Sequence, residues 1–179
     1  MSLSNPAGDA KAAAAGYTKA LLDLLGDRQP LDVLPLGPAR LRELASSVDD
    51  ATLRKPEREG KWSMLQVAQH LADTELAVGW RYRVAVAQHE PVITGFDQDA
   101  WVTHLWHGDE PAEEPLAQFE AVRAANLRLL RRLTPEQWQR AGMHEERGRE
   151  TVLHIAKLSA AHDLAHLRQL ERIRRTLQA

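Results

Sequence analysis

Cysteine is missing from all 179 residues. That excludes disulfide scaffolds, iron–sulfur clusters, zinc ribbons and any protein thiol as nucleophile. Aromatic residues make up only 5%, although five of them are tryptophan. Positive charge is not in excess. Lys and Arg number 23 against 25 Asp and Glu, a formal net charge of −2 with neutral histidines, so the footprint of a broadly basic nucleic-acid binder is absent. No apolar run approaches the ~18–20 residues that span a bilayer. Met1 to Lys11 lacks the basic and apolar regions of a signal peptide. These absences predict a cytoplasmic protein with neither a membrane nor a nucleic acid as partner. The length predicts one globular domain. At 44% hydrophobic and 27% charged residues, the chain can build a core without a metal or disulfide to hold it together. Histidine is the residue present in unusual number, at eight.

Helical periodicity runs nearly throughout. Ala10 to Leu25 is predicted as a helix with an apolar stripe of Tyr17, Leu21, Leu24 and Leu25, stopped by Gly26. Pro30, Pro35 and Pro38 then forbid one continuous helix. A short helix is expected from Pro38, and a further turn capped by Asp49 or Asp50. Ser63 with Gln66 reads as a capping box opening a long helix to about Gln88, its apolar face carrying Leu65, Ala68, Leu71, Ala72, Leu76, Trp80 and Val84. Asp97 to Trp106 is read as a short connector helix, and Leu116 to Leu133 as another long one. Thr134-Pro135-Glu136-Gln137 launches a short helix that Gly142 stops. Thr151 begins a final long helix to about Leu177. No strand alternation and no hairpin dipeptide stands out. The fold expected is an all-α four-helix bundle with short connector helices, residues 1–35 forming an N-terminal helical extension and residues 36–179 the bundle, as a single globular domain.

The final helix carries His162-Asp163-Leu164-Ala165-His166. Positions four apart lie ~40° apart around a helix and one turn apart along it, so both imidazoles can reach one metal ion. His70 stands mid-helix among apolar neighbours, on the side expected to face the bundle. Buried there, its ring needs a partner, which could be a hydrogen bond or a metal. If the two helices are neighbours, His70, His162 and His166 converge on a three-histidine site with coordination positions left open.

Trp62-Ser63, His70-Leu71-Ala72-Asp73, Arg81, Pro91, Phe96-Asp97-Gln98-Asp99-Ala100-Trp101 and His162-Asp163-Leu164-Ala165-His166-Leu167-Arg168-Gln169 occur in that order. As an ordered set, from about Leu36 to Ile173, they resemble the DinB/YfiT-like superfamily. The resemblance implies a four-helix bundle, often a homodimer, with a divalent metal (zinc or nickel) on His70, His162 and His166. It implies a metal-dependent hydrolase, or a transferase that joins a low-molecular-weight thiol such as bacillithiol to a small-molecule electrophile. A bound metal of this kind can activate water or a thiol, and the missing cysteine does not matter when the thiol belongs to a cosubstrate. The alternative is a non-catalytic metal-binding or stress-response bundle. A further alternative is a structural bundle whose histidines are satisfied by hydrogen bonds.

Asp73, ~60° round the helix from His70, is a candidate to orient a ligand histidine or act as a base, against a surface ion pair. Arg81 is a candidate to hold a substrate carboxylate, against a salt bridge to Asp97 or Asp99. Asp163 is expected in a solvated or interhelical position. Gln169 either bonds within the site or lies on the helix surface. Trp101 and Trp106 could wall the pocket mouth, and Trp62, Trp80 and Trp138 are expected in the core. His104 and His107 are weaker metal candidates. His89, His144 and His154 are expected to face solvent or lie in loops.

Overall fold

The computed structural model describes residues 10–106 and 108–178. His107 lies outside them. The helices are α1 (Ala10–Leu25), α2 (Pro30–Val33), α3 (Gly37–Ser46), α4 (Asp50–Arg54), α5 (Met64–Ala87), α6 (Gln98–His104), α7 (Glu113–Leu130), α8 (Pro135–Gln139) and α9 (Val152–Gln178), with one 3₁₀ turn at Leu34–Leu36. The local signals act as their chemistry requires. Gly26 ends α1 at φ 59°. Asp49 caps α4 by accepting from the Thr52 N–H. Ser63 with Gln66 and Thr134 with Gln137 each close a reciprocal capping box. The proline segment breaks into α2, the 3₁₀ turn and α3, with a proline in the first turn of each.

The long helices α5, α7 and α9 pack on one another. Helix α1 lies on α9, and α3 packs against α7 and α9. Two apolar clusters are stacked along the bundle. One joins Leu21 and Leu25 of α1 to Val78 and Tyr82 of α5, Leu127 and Leu130 of α7, and Ile155 of α9. The other joins Leu41 and Leu44 of α3 to Leu71 of α5, Phe119 of α7, and Leu170 and Ile173 of α9. Leu21, Leu25, Val33 and Leu34, all before residue 36, therefore contribute to the core itself. Between the two clusters the chain order places Glu75 of α5, Arg123 of α7 and Asp163 of α9, all buried.

Beside the helices stands a small sheet that no alternation in the sequence announced. The sheet, of order β1-β2-β3, is formed by β1 (Val92–Ile93), β2 (Ala141–His144) and β3 (Gly148–Thr151), with β1 parallel to β2 and β2 antiparallel to β3. Such strands are too short for alternation to register. The usable signal was the three-residue turn Glu145-Glu146-Arg147 followed by Gly148 at φ 77°, a common hairpin geometry. Gly142 is not a helix stop. It sits in β2, where a Cβ would lie 2.6 Å from the Ile93 side chain and 2.9 Å from the Pro91 carbonyl oxygen. Trp80, expected in the core, is 63% exposed, and Leu76 is exposed beside it. Lower on α5, Gln66 and Gln69 line a crevice together with Val102 of α6 and the following Trp106. Trp62 and Trp138 are half-buried against the two clusters.

Candidate metal centre

Helix α5 carries His70 inward, and α9 runs beside it with His162 and His166 one turn apart. Their Nε2 atoms meet. His70 to His162 is 3.0 Å, and His166 to His162 is 3.1 Å. Among the described residues these three, with ligand atoms within 4.8 Å of one another, are the cluster that could hold a metal ion. Metal–nitrogen bonds of ~2.0–2.1 Å in tetrahedral geometry put ligand nitrogens about 3.3 Å apart. The observed spacing is close to that.

Hydrogen bonding alone suits the cluster poorly. His166 Nδ1 donates to Gln169 Oε1 at 2.7 Å, so the neutral ring points a bare lone pair from Nε2 at His162. His162 Nε2 carries at most one hydrogen and has two imidazole neighbours. A cation at the centre satisfies all three lone pairs at once. Burial suits the same role. Desolvation, then the neighbouring His166, holds His70 well below the usual imidazole range. Desolvation, then His166, His70 and Arg123, does so for His162. Desolvation brings His166 to about 4 against a smaller opposing effect of Gln169. All three are neutral at pH 7, the ligating form. The Trp62 ring, 5.0 Å from that of His70, adds an apolar wall.

The layer beside the histidines is ionic. Arg123, 2% exposed, donates to Glu75 at 2.7 Å and to both oxygens of Asp163. It also reaches the Leu34 carbonyl at 2.8 Å. Asn126 donates to Glu75 Oε1 at 2.8 Å. Two glycines admit this packing, since a Cβ on Gly37 would lie 2.7 Å from Asp163 Oδ2 and one on Gly79 2.6 Å from Asn126. Asp163, next to His162, therefore takes the interhelical position. Arg123 and Glu75 were missed by sequence reasoning. The available signal was their spacing: Arg123 is four residues from both Phe119 and Leu127, and Glu75 is four from Leu71 and three from Val78.

Asp73 is buried but is not one of the clustered groups. The Trp106 indole N–H donates to its Oδ2 at 2.8 Å. Burial raises its carboxyl above the usual range, with Trp106 and Gln118 opposing. The second ring nitrogens of His70 and His166 face Thr74, at 3.5 Å, and Gln169 instead. Arg81 forms no salt bridge to Asp97 or Asp99; its Nη2 donates to the Thr94 carbonyl at 3.0 Å, and its guanidinium lies 5.8 Å from the Phe96 ring centroid. Trp106 lines a crevice of about 310 Å³ with Gln66, Gln69 and Thr103, and Trp101 stacks at 4.5 Å on Phe96. His104 and His89 are exposed and His154 is half-buried. His144 is a correction: it is 2% exposed.

Residues 35–170 match the model of the DinB superfamily, and the chain belongs to that family. A relative from Oceanobacillus iheyensis, named Putative metal-dependent hydrolase OB0413, is 32% identical over 136 residues, covering 72% of this chain and 76% of its own. Putative metal-dependent hydrolase YfiT of Bacillus subtilis is 27% identical over 146 residues, covering 79% of this chain and 82% of its own. The solved structure of that YfiT, described as a probable metal-dependent hydrolase with an unusual four-helix bundle topology, superposes with a TM-score of 0.71 at 28% identity over 80% of this chain and 84% of that one. TT2238, described as a four-helix bundle protein, gives 0.60 at 25% identity over 80% of this chain and 96% of that one. The all-α, four-helix-bundle expectation holds, and so does the family.

Proposed function

We propose that this protein is a metal-dependent enzyme, a hydrolase acting on a small molecule, with His70, His162 and His166 as its metal ligands. The observation that carries the reading is the meeting of three Nε2 atoms from two helices at 3.0 and 3.1 Å, with the His166 lone pair turned inward by Gln169. The names of the relatives support it. A divalent ion bound there supplies Lewis acidity, enough to deprotonate water or a thiol near neutral pH. The three imidazoles hold it in neutral form, and Gln169 fixes the tautomer of one of them. Three ligands leave room for a substrate atom. Asp73, raised by burial and anchored by Trp106, is proposed as a proton acceptor at the edge of the site, and Arg81 as a substrate-binding cation.

The same reading takes zinc or nickel as the metal, and a homodimer in the cytoplasm as the working form. Transfer of a low-molecular-weight thiol, such as bacillithiol, to an electrophile is the second reaction proposed. The neutral, desolvated histidine cluster would favour a thiolate as readily as it favours hydroxide. The primary test is metal content of protein purified without an affinity tag. About one ion per chain is expected in wild type and almost none in His162→Ala; equal content in both sinks the reading. Turnover of ester substrates against turnover of monobromobimane with bacillithiol then separates the two reactions.

A further inference from the structure

At the other end of α5, Arg81 is a buried cation with no carboxylate paired to it among the described residues. It is 9% exposed, and its one hydrogen bond among the described residues goes to the Thr94 carbonyl. Buried charges are ordinarily paired, because water is otherwise the better solvent for them. Its neighbour Arg147 does not share this state. It donates to both oxygens of Glu150, at 2.6 and 3.0 Å. Burial and then Arg147 bring the Arg81 guanidinium down to about 10, with the nearby Glu150 and Glu146 carboxylates opposing without bonding to it.

His144 of β2 is near enough for the Arg81 charge to act on its ring, behind the larger effects of burial, Arg147 and Glu150. Its Nδ1 accepts the Glu146 N–H at 3.2 Å, so the neutral ring carries its hydrogen on Nε2, and that nitrogen is buried without an acceptor. The Thr94–Gly95 segment connects the two side chains. Arg81 holds the Thr94 carbonyl, and a Cβ on Gly95 would stand 4.0 Å from His144 Cε1 and 3.7 Å from Glu146 Oε1. Two buried donors, one of them charged, are thus left over at one end of the sheet. The group that completes both is an anionic acceptor, and a carboxylate matches the planar fork of a guanidinium.

The place of this pair along α5 adds a second constraint. Arg81 follows His70 by eleven residues, which is about 16 Å along the axis and ~20° around it. The two share one face. Thr74 and Ala77, small and half-buried, lie between them on the same stripe.

We propose that Arg81 and His144 form a carboxylate-binding subsite for the far end of an elongated small molecule whose reacting group lies at the three-histidine cluster. The placement of the reacting end rests on the function proposed above. The carboxylate site stands on Arg81 and His144 alone.

The test uses full-length protein stripped of metal and dialysed, titrated with sodium acetate while the ¹⁵N signals of the Arg81 side chain and the His144 ring are followed. Sodium chloride at equal ionic strength is the control. Saturable shifts at both side chains are expected with acetate and not with chloride. Acetate should bind at least tenfold more weakly to Arg81→Gln and several-fold more weakly to His144→Gln, which serves alone if the first variant does not fold. The proposal is overturned if acetate shifts nothing beyond the chloride control. It is also overturned if Glu146→Gln moves the Arg81 signal while acetate leaves it in place, because the turn carboxylate is then its partner. Metal content of unstripped protein is read separately. Its absence would remove the metal reading and leave an acetate result standing.

Discussion

The histidine cluster works because burial and hydrogen bonding push its members in one direction. A histidine whose folded pKa is depressed is neutral in the native state and protonated more readily in the unfolded one. Its contribution to stability is complete above the unfolded value of ~6.5 and is lost as pH falls. His166 is depressed to about 4, and His70 and His162 are held well below the ordinary range, so the loss extends at least to pH 4. Metal-stripped protein should therefore show a thermal midpoint that falls steadily between about pH 6.5 and pH 4. Loaded protein should start higher and fall more steeply, since protonation of the ligands also releases the ion. A midpoint flat across that window, followed by circular dichroism, would mean that the three rings are not held neutral. The same residue scale shows the reach of sequence reasoning. The i, i+4 pair His162 and His166 was legible because helix geometry alone brings them together. His144 was not, because its burial depends on a sheet assembled from segments some fifty residues apart.

At the scale of elements, the ionic layer is the device that fixes how α5, α7 and α9 meet. Arg123 is shared by Glu75 and Asp163, and the second of these immediately follows His162. Burial pushes the Asp163 carboxyl up, against Arg123 pulling it down, so the guanidinium is what keeps the layer tolerable. Arg123→Met leaves two buried carboxylates without a counter-ion and should cost about 3–5 kcal/mol in denaturant unfolding. The triple replacement Arg123→Met, Glu75→Leu, Asp163→Leu should recover most of that loss, as replacing a whole buried ion network by apolar groups often does. If the single variant is as stable as wild type, the layer has no such role. Gly37→Ala probes the same contact from α3, where the new methyl would meet Asp163 Oδ2 at 2.7 Å. Overpacking of this kind costs about 1–3 kcal/mol. The helices and their caps were readable because capping boxes and prolines act within four residues. The sheet was not, since strands of two to four residues carry almost no periodic signal.

At the scale of the whole molecule, the N-terminal segment shares its apolar core with the bundle helices. Leu21, Leu25, Val33 and Leu34 belong to the same apolar cluster as Val78, Tyr82, Leu127 and Ile155. Deleting residues 1–35 should expose that cluster, giving strong binding of a hydrophobic dye and loss of a sharp thermal transition. A truncated protein that still melts sharply would show the extension to be dispensable. An ion bound to the native state alone must raise the thermal midpoint, by about 2.7 kcal/mol of stability at a hundredfold excess over Kd. Chelator should reverse the shift, and His162→Ala should show none.

Helix boundaries, the class of fold and the identity of three convergent histidines could be read from the linear chain, because each depends on spacings of three to eleven residues or on an ordered motif. Other features emerged only when the helices packed. Arg123 became the centre of an ionic layer, Trp80 was left outside, and both Arg81 and His144 were buried. Those outcomes depend on which surfaces cover which, and burial of a polar group is a property of its neighbours in space rather than of its place in the chain.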